Sequence, residues 1–495
     1  MLLSNRRIIR GILGLIILFS YICMFVPHYA SDTYHAIINA DTYGRGNIVL
    51  GRYSNELVYS IAIKLGIDYI KMFSLLIAAD IIGFIIMADT IVSSALELLH
   101  RESNTAVGII MMSALFCVVN PFISEWFAFY ECSLQWVGCV IFSALAIKTF
   151  SYDDYNIKRW IISLVFMLIS LGFYQAFMPV YVIIGCTFVY LKADGKLNRF
   201  SITKTISVCT IGGISSVINI LSIRLFQFLG LASITSRTDS INFEILLGNI
   251  RTLIQYFPVL LWETCGLFPK GLLVSASLIL LSVAVWAIAS KEDMVTNKIL
   301  YIVLLLLGCI SVVFVPHVFT STIWLAQRTI VGLWSIIFSI SVIVVVNTNN
   351  IRHERLIFGI VCLLLVISIY MIQSIQADLI ATNYIDRNEA YAIQQKINEY
   401  EVVNGIEIKE IGTISDKNLT YHSAGGKYRY CDTNVSAHAI PWAVINCLNY
   451  YNGTSYEVTD VPQTIINAYS DYDRDYLCLE EQLIFDQDKL YIVEY

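Results

Sequence analysis

Roughly eleven apolar runs, each near the 20 or so residues that cross a bilayer core, leave this chain little choice of architecture. They lie near residues 8–26, 70–92, 105–120, 131–148, 160–175, 177–192, 205–226, 269–290, 299–316, 328–347 and 356–376. Hydrocarbon offers the backbone no water to bond, so a spanning run must be a helix or a strand of a closed barrel. Runs of this length read as helices. Apolar residues make up 57% of the chain and charged residues 14%, far from the balance of a soluble domain. The reading is an all-α polytopic membrane protein with about 11 transmembrane helices. The short pair flanking Gln175 fits either a tight hairpin or a re-entrant turn.

Basic residues set the orientation, because short cytoplasmic loops collect Lys and Arg. Arg6, Arg7 and Arg10, then Lys158 and Arg159, then Lys192, Lys196, Arg199 and Lys204, and finally Arg352 and Arg355 fall on one side of the counted spans. That side is read as the cytoplasm, with the N-terminus in it and the first run retained as an anchor. The first outward loop is then 27–69, and everything beyond the last span faces outward. Near Gln376 the composition turns polar and tyrosine-rich, which divides the chain into a transmembrane domain, 1–376, and a small extracytoplasmic α/β C-terminal domain, 377–495. No basic patch suggests nucleic acid. Cysteines lie singly in or near the spans, and Cys431, Cys447 and Cys478 leave room for one disulfide in the tail. No Walker loop, Rossmann fingerprint or His-Glu-x-x-His zinc motif occurs, which argues against an ATP-driven pump or a zinc protease.

Outward arginines oppose the orientation bias and therefore invite explanation. Arg45, Arg52, Arg237, Arg251 and Arg328 are such residues, and the planar guanidinium fork matches a lipid phosphate. The plainer alternative is a snorkelling side chain at a helix end. Two acids share the first loop with them. Asp32 and Asp41 are nine positions apart, which on a helix would point them to opposite faces. Asp32 follows the span and its Pro27 break, so it is better placed to enter a surface cleft; helix capping is the competing role. Glu125 and Glu131 flank Trp126, Phe127, Phe129 and Tyr130, a mixture suited to a sugar face or to an interfacial aromatic belt. Tyr174, Gln175, His317 and Arg328 stand at other outward turns and complete the candidate substrate contacts. Asp80 stands inside a span, where a hydrogen bond to a neighbouring helix or a proton-coupled transport role would account for it. No cofactor is indicated and no metal cluster is apparent, although a divalent cation could share the neutralisation of a phosphate.

The Ser31-Asp32-Thr33-Tyr34 and Gly51-Arg52-Tyr53 elements, with Asn120 to Phe127 and Gly172 to Ala176, resemble bacterial membrane glucosyltransferases that decorate O-antigen or other surface polysaccharides. The resemblance covers roughly the first 350 residues. It implies a GT-C-like fold in the bacterial inner membrane, a polyprenyl-phosphate-linked sugar donor, and a polysaccharide or lipid-linked glycan acceptor among membrane lipids. It further implies Asp32 as general base in the first outward loop, with Arg52 and Tyr53 near the cleft. Thr33 stands where many relatives carry a second acid, and the base stays open between Asp32 and Asp41. One base and in-line attack on a lipid phosphate leaving group imply an inverting hexosyltransferase. A polysaccharide polymerase or ligase, and a flippase or transporter without bond chemistry, are the alternatives.

Overall fold

The computed structural model describes residues 6–38, 47–68, 70–99, 103–234, 242–290, 295–348, 350–414, 428, 430–469 and 478–493. Its helices, in chain order, begin with α1 (Arg6–Tyr21), α2 (Ser31–Ile38), α3 (Tyr53–Lys64), α4 (Phe73–Leu98), α5 (Asn104–Leu115), α6 (Ser124–Ala128), α7 (Ser133–Thr149) and α8 (Ile157–Phe173). They continue with α9 (Met178–Lys192), α10 (Arg199–Phe228), α11 (Phe243–Phe257), α12 (Leu272–Ala289), α13 (Val295–Val318), α14 (Gly332–Asn347) and α15 (Ile351–Asn404). Among the described residues nine helices are long and apolar enough to cross a membrane. The chain is a polytopic, all-α membrane protein carrying a small C-terminal sheet.

Each of the eleven apolar runs falls on a helix, but α5, α8 and α14 have only 12, 17 and 16 residues, and α1, α7 and α9, with 16, 17 and 15, reach span length only together with an adjoining helical turn. The rest of the 105–120 run, Phe116 to Asn120, is turn structure buried inside the bundle. Irregular backbone survives at such depth where protein rather than lipid covers it. One apolar helix lies outside the eleven runs. The stretch Phe243–Trp262 passes the length and apolarity test for a span, yet its middle and its C-terminal end meet the same end of the bundle, where Trp262 O accepts from Gly271 N at 2.7 Å. Asn249 Nδ2 donates to Val318 O at 3.0 Å and Thr320 O at 2.7 Å, while Phe257 packs on Phe314 at 5.4 Å between ring centroids. Phe314 and Val318 are one helical turn apart, so α11 lies along the rim and does not run the depth of the bundle.

Caps fix several helix starts: Ser103 accepts from Ala106 N, Asn156 from Arg159 N, and Asn242 from Ile245 N. Glycines allow two close approaches. A Cβ on Gly138 would lie 2.5 Å from the Phe173 ring, locking α7 to α8, and one on Gly172 would lie 2.4 Å from Ser54 Oγ and from the Tyr53 ring.

The last span does not stop at the compositional change near Gln376. α15 runs unbroken for 54 residues to Asn404 and ends at Gly405, whose φ of 67° provides the left-handed cap. Beyond it lie β1 (Glu410–Ile414), α16 (Pro441–Asn452), β2 (Glu457–Val458), β3 (Leu483–Asp486) and β4 (Lys489–Val493). The sheet order is β2-β1-β4-β3, with β1 parallel to β2 and β4, and β3 antiparallel to β4. Its inner face, Ile411, Leu490 and Ile492, joins Ile393 and Ile397 of α15 and Val444 and Leu448 of α16 in a second core. Tyr34 of α2 belongs to that core as well, so the C-terminal segment is packed onto the first loop. All twelve cysteines are free thiols, Cys431, Cys447 and Cys478 included.

Candidate active site

Two cavities meet at the end of the bundle that bears the C-terminal segment. The larger, about 540 Å³, is mostly apolar, walled by Leu171, Met178, Ile220, Ile223, Val313 and Phe319, with Gln175, Asn219, Arg224 and His317 among its few polar groups. The smaller, about 350 Å³, is polar and includes Asp32, Asn55, Gln135, Arg328, Asp432 and Trp442. Arg52, Leu50, Tyr174 and Trp324 line both. A pocket of this kind, apolar with a few convergent polar groups, is the default site of chemistry in an uncharacterised fold.

Asp32 stands in the first turn of α2. The segment before it is fixed by Asn383 of α15, which accepts from Tyr29 N at 2.8 Å and donates to Tyr29 O at 2.7 Å, as a neighbouring strand would. Thr33 Oγ1 accepts from Ala30 N at 3.0 Å and donates to Glu131 Oε2 at 2.8 Å. With its neighbours pinned, the Asp32 carboxylate is exposed to the polar cavity. One oxygen accepts from Trp442 Nε1 at 3.1 Å.

Arg52 is held by the turn that precedes α3. Gly51 has φ of 74°, and a Cβ there would lie 2.9 Å from Asn219 Oδ1 and Ile223, so only glycine fits. Asn219 Nδ2 donates to Gly51 O at 2.8 Å and Gln175 Nε2 to Leu50 O at 2.8 Å. The guanidinium then lies 4.8 Å from the Tyr174 ring centroid, with Gln135 Oε1 at 3.4 Å from Nη1. Tyr53 is not in the wall of either cavity and donates its hydroxyl to Leu168 O at 2.8 Å.

Arg328 is enclosed between Phe129 at 4.8 Å and Trp324 at 4.5 Å. Its backbone N–H donates to Glu125 Oε2 at 2.8 Å, its Nη1 pairs with Glu125 Oε1, and its Nη2 meets Asp432 Oδ2 at 2.5 Å. Burial works against the Arg328 charge, but Glu125 and Asp432 more than offset it and hold the guanidinium protonated. Burial also raises the Glu125 carboxyl above the ordinary carboxylate range; Arg328 opposes that rise and Asp432 adds to it.

The structure therefore gathers Asp32, Arg52, Tyr174 and Arg328 around the polar cavity, and Gln175 and His317 around the apolar one. Glu125 is turned onto Arg328, and Tyr53 serves packing. Asp41 and Arg45 lie outside the described residues. Asp432, Trp442, Trp324, Asn219 and Arg224 were not among the residues singled out in the sequence. The two from the C-terminal segment carry no local signal beyond Pro441, which starts α16 and puts an indole directly after it. No group of three or more His, Cys, Asp or Glu able to hold a metal ion occurs among the described residues.

Comparison with known proteins gives one family. The sequence model described as Glucosyl transferase GtrII matches residues 21–347. No curated protein and no solved structure matches the chain.

Proposed function

The chain belongs to the GtrII glucosyl transferase family, and from that premise we propose that it moves glucose from a polyprenyl-phosphate carrier to a cell-surface glycan. The observation that carries this reading is the position of Arg52 in the wall common to both cavities. An isoprenoid-linked sugar needs an apolar trough for its tail, a cation for its phosphate and a polar chamber for its sugar, in that order. The apolar cavity, Arg52 and the Asp32 chamber follow the same order.

In this mechanism Asp32 accepts the proton of an acceptor hydroxyl while that oxygen bonds to the anomeric carbon. The bond from the same carbon to the phosphate oxygen breaks, and its electron pair leaves with the lipid phosphate beside Arg52. A phosphate leaves without needing a proton, so one carboxylate suffices and the sugar inverts. Arg328, already paired with Glu125 and Asp432, shapes the chamber.

The reading makes the membrane domain GT-C-like and sets it in the bacterial inner membrane, with the site and the C-terminal segment outside the cytoplasm. The Lys and Arg loops support that orientation, and so does the rim position of α11, which adds no crossing to the count. Purified protein in nanodiscs, given synthetic polyprenyl phosphate glucose and a surface polysaccharide, tests the reading. Asp32→Asn is expected to lose transfer by about 10²- to 10⁴-fold at matched folding. Undiminished transfer in that variant would move the base elsewhere. A wild type that uses no polyprenyl phosphate glucose would remove the donor assignment.

A further inference from the structure

The polar cavity has one wall that the family match does not reach. Asp432, Ile440 and Trp442 line it from beyond residue 347. Trp442 is the informative member, because it lines the polar cavity and is left 56% exposed, an apolar ring face offered to whatever enters. Its mounting is rigid. Pro441 starts α16, and α16 is fastened to the Asp32 loop through Tyr29 Oη to Tyr450 Oη at 2.8 Å and Tyr34 Oη to Tyr451 Oη at 3.2 Å. The indole Nε1 donates to Asp32 Oδ1, and no described residue hydrogen-bonds the other Asp32 oxygen.

We infer that Trp442 is the stacking platform of an acceptor subsite, taking a pyranose ring of the glycan that receives the sugar. This rests on the transferase reading above and adds to it the place where the acceptor binds. A pyranose has an apolar C–H face and a polar rim of hydroxyls. The indole face covers the first, and the Asp32 and Asp432 carboxylates accept from the second. A ring stacked there has a hydroxyl beside the open Asp32 oxygen, with Arg52 across the cavity on the donor side. The matched region thus holds the donor, and the C-terminal segment selects what is glycosylated.

The test is a split of kinetic constants in the full-length protein in nanodiscs. Trp442→Leu is expected to raise the acceptor KM about tenfold, the worth of one aromatic stack, while the donor KM moves less than about twofold. Trp442→Phe keeps a ring and loses the N–H, so its acceptor KM should lie between wild type and Trp442→Leu. Equal changes in both KM values, or no change in Trp442→Leu, would overturn the subsite. Direct binding keeps the inference separate from the transferase reading. Saturation-transfer NMR with methyl glycosides of glucose, galactose, rhamnose and N-acetylglucosamine, without donor, should show a signal in wild type that Trp442→Leu loses. Binding without any transfer would uphold the subsite and sink the donor assignment; no binding of any glycoside would sink the subsite.

Discussion

Replacing Arg328 by Gln asks whether Glu125 is held by charge or by shape. The Glu125 side chain is 1% exposed, and Arg328 is its countercharge. Removing one partner of a buried pair costs about 3–5 kcal/mol, because an uncompensated charge stays behind. The Glu125 carboxyl is already raised by burial, with Arg328 pulling against the rise; without the guanidinium it rises further. A folded-state value above the unfolded one means that the folded chain binds the proton more tightly. Stability is then full below the unfolded value and is lost as pH climbs through the folded one. Each pH unit in that window is worth about 1.4 kcal/mol, so going from pH 8 to pH 6 returns at most about 2.7 kcal/mol. Wild-type Glu125, raised to about 7, already shares part of this pH dependence, so Arg328→Gln should lose about 3–5 kcal/mol at pH 8 and about 1 kcal/mol less than that at pH 6. Adding Glu125→Gln should recover most of the loss at pH 8. The assay is equilibrium unfolding in mixed micelles titrated with dodecyl sulfate and followed by circular dichroism. Equal losses at both pH values, or a double variant no more stable than the single one, would refute the reasoning.

Two further outcomes are expected. Gly172→Ala puts a methyl 2.4 Å from Ser54 and Tyr53, which should push the start of α3 away from α8, cost about 1–3 kcal/mol and depress transfer by moving Arg52; unchanged activity would show that Arg52 does not depend on that contact. Arg52→Lys keeps the charge but loses the planar fork over Tyr174, and steady-state kinetics should show a donor KM raised about tenfold with the acceptor KM little changed.

The spans were legible because an apolar run is a local property, and the first loop was legible because Asp32 and Arg52 lie within one short stretch. α11 escaped the same reading: Glu244, Asn249 and Arg251 interrupt its apolar face, and only the contacts to Val318 and Thr320 reveal a rim helix. Glu125 looked like a sugar ligand beside its aromatic neighbours, yet its partner is 203 positions away. Trp442 and Asp32 are separated by 410 positions. No periodicity or motif reports a contact of that kind, which exists only because α15 carries the chain back over the first loop.

That helix also acts as a gauge. At about 1.5 Å and 100° per residue, α15 spans about 80 Å and fixes both the height and the heading of whatever it carries. One residue inserted between Gln376 and Asn383 would turn the distal part by about 100°, swinging Trp442 off Asp32. Seven inserted residues would restore the heading to within about 20° but lift the distal part by about 10 Å, wider than the contacts that close the cavity. No insertion satisfies both conditions. The length of this stretch is thus locked to the assembly of the site, as is Asn383 through its two bonds to Tyr29.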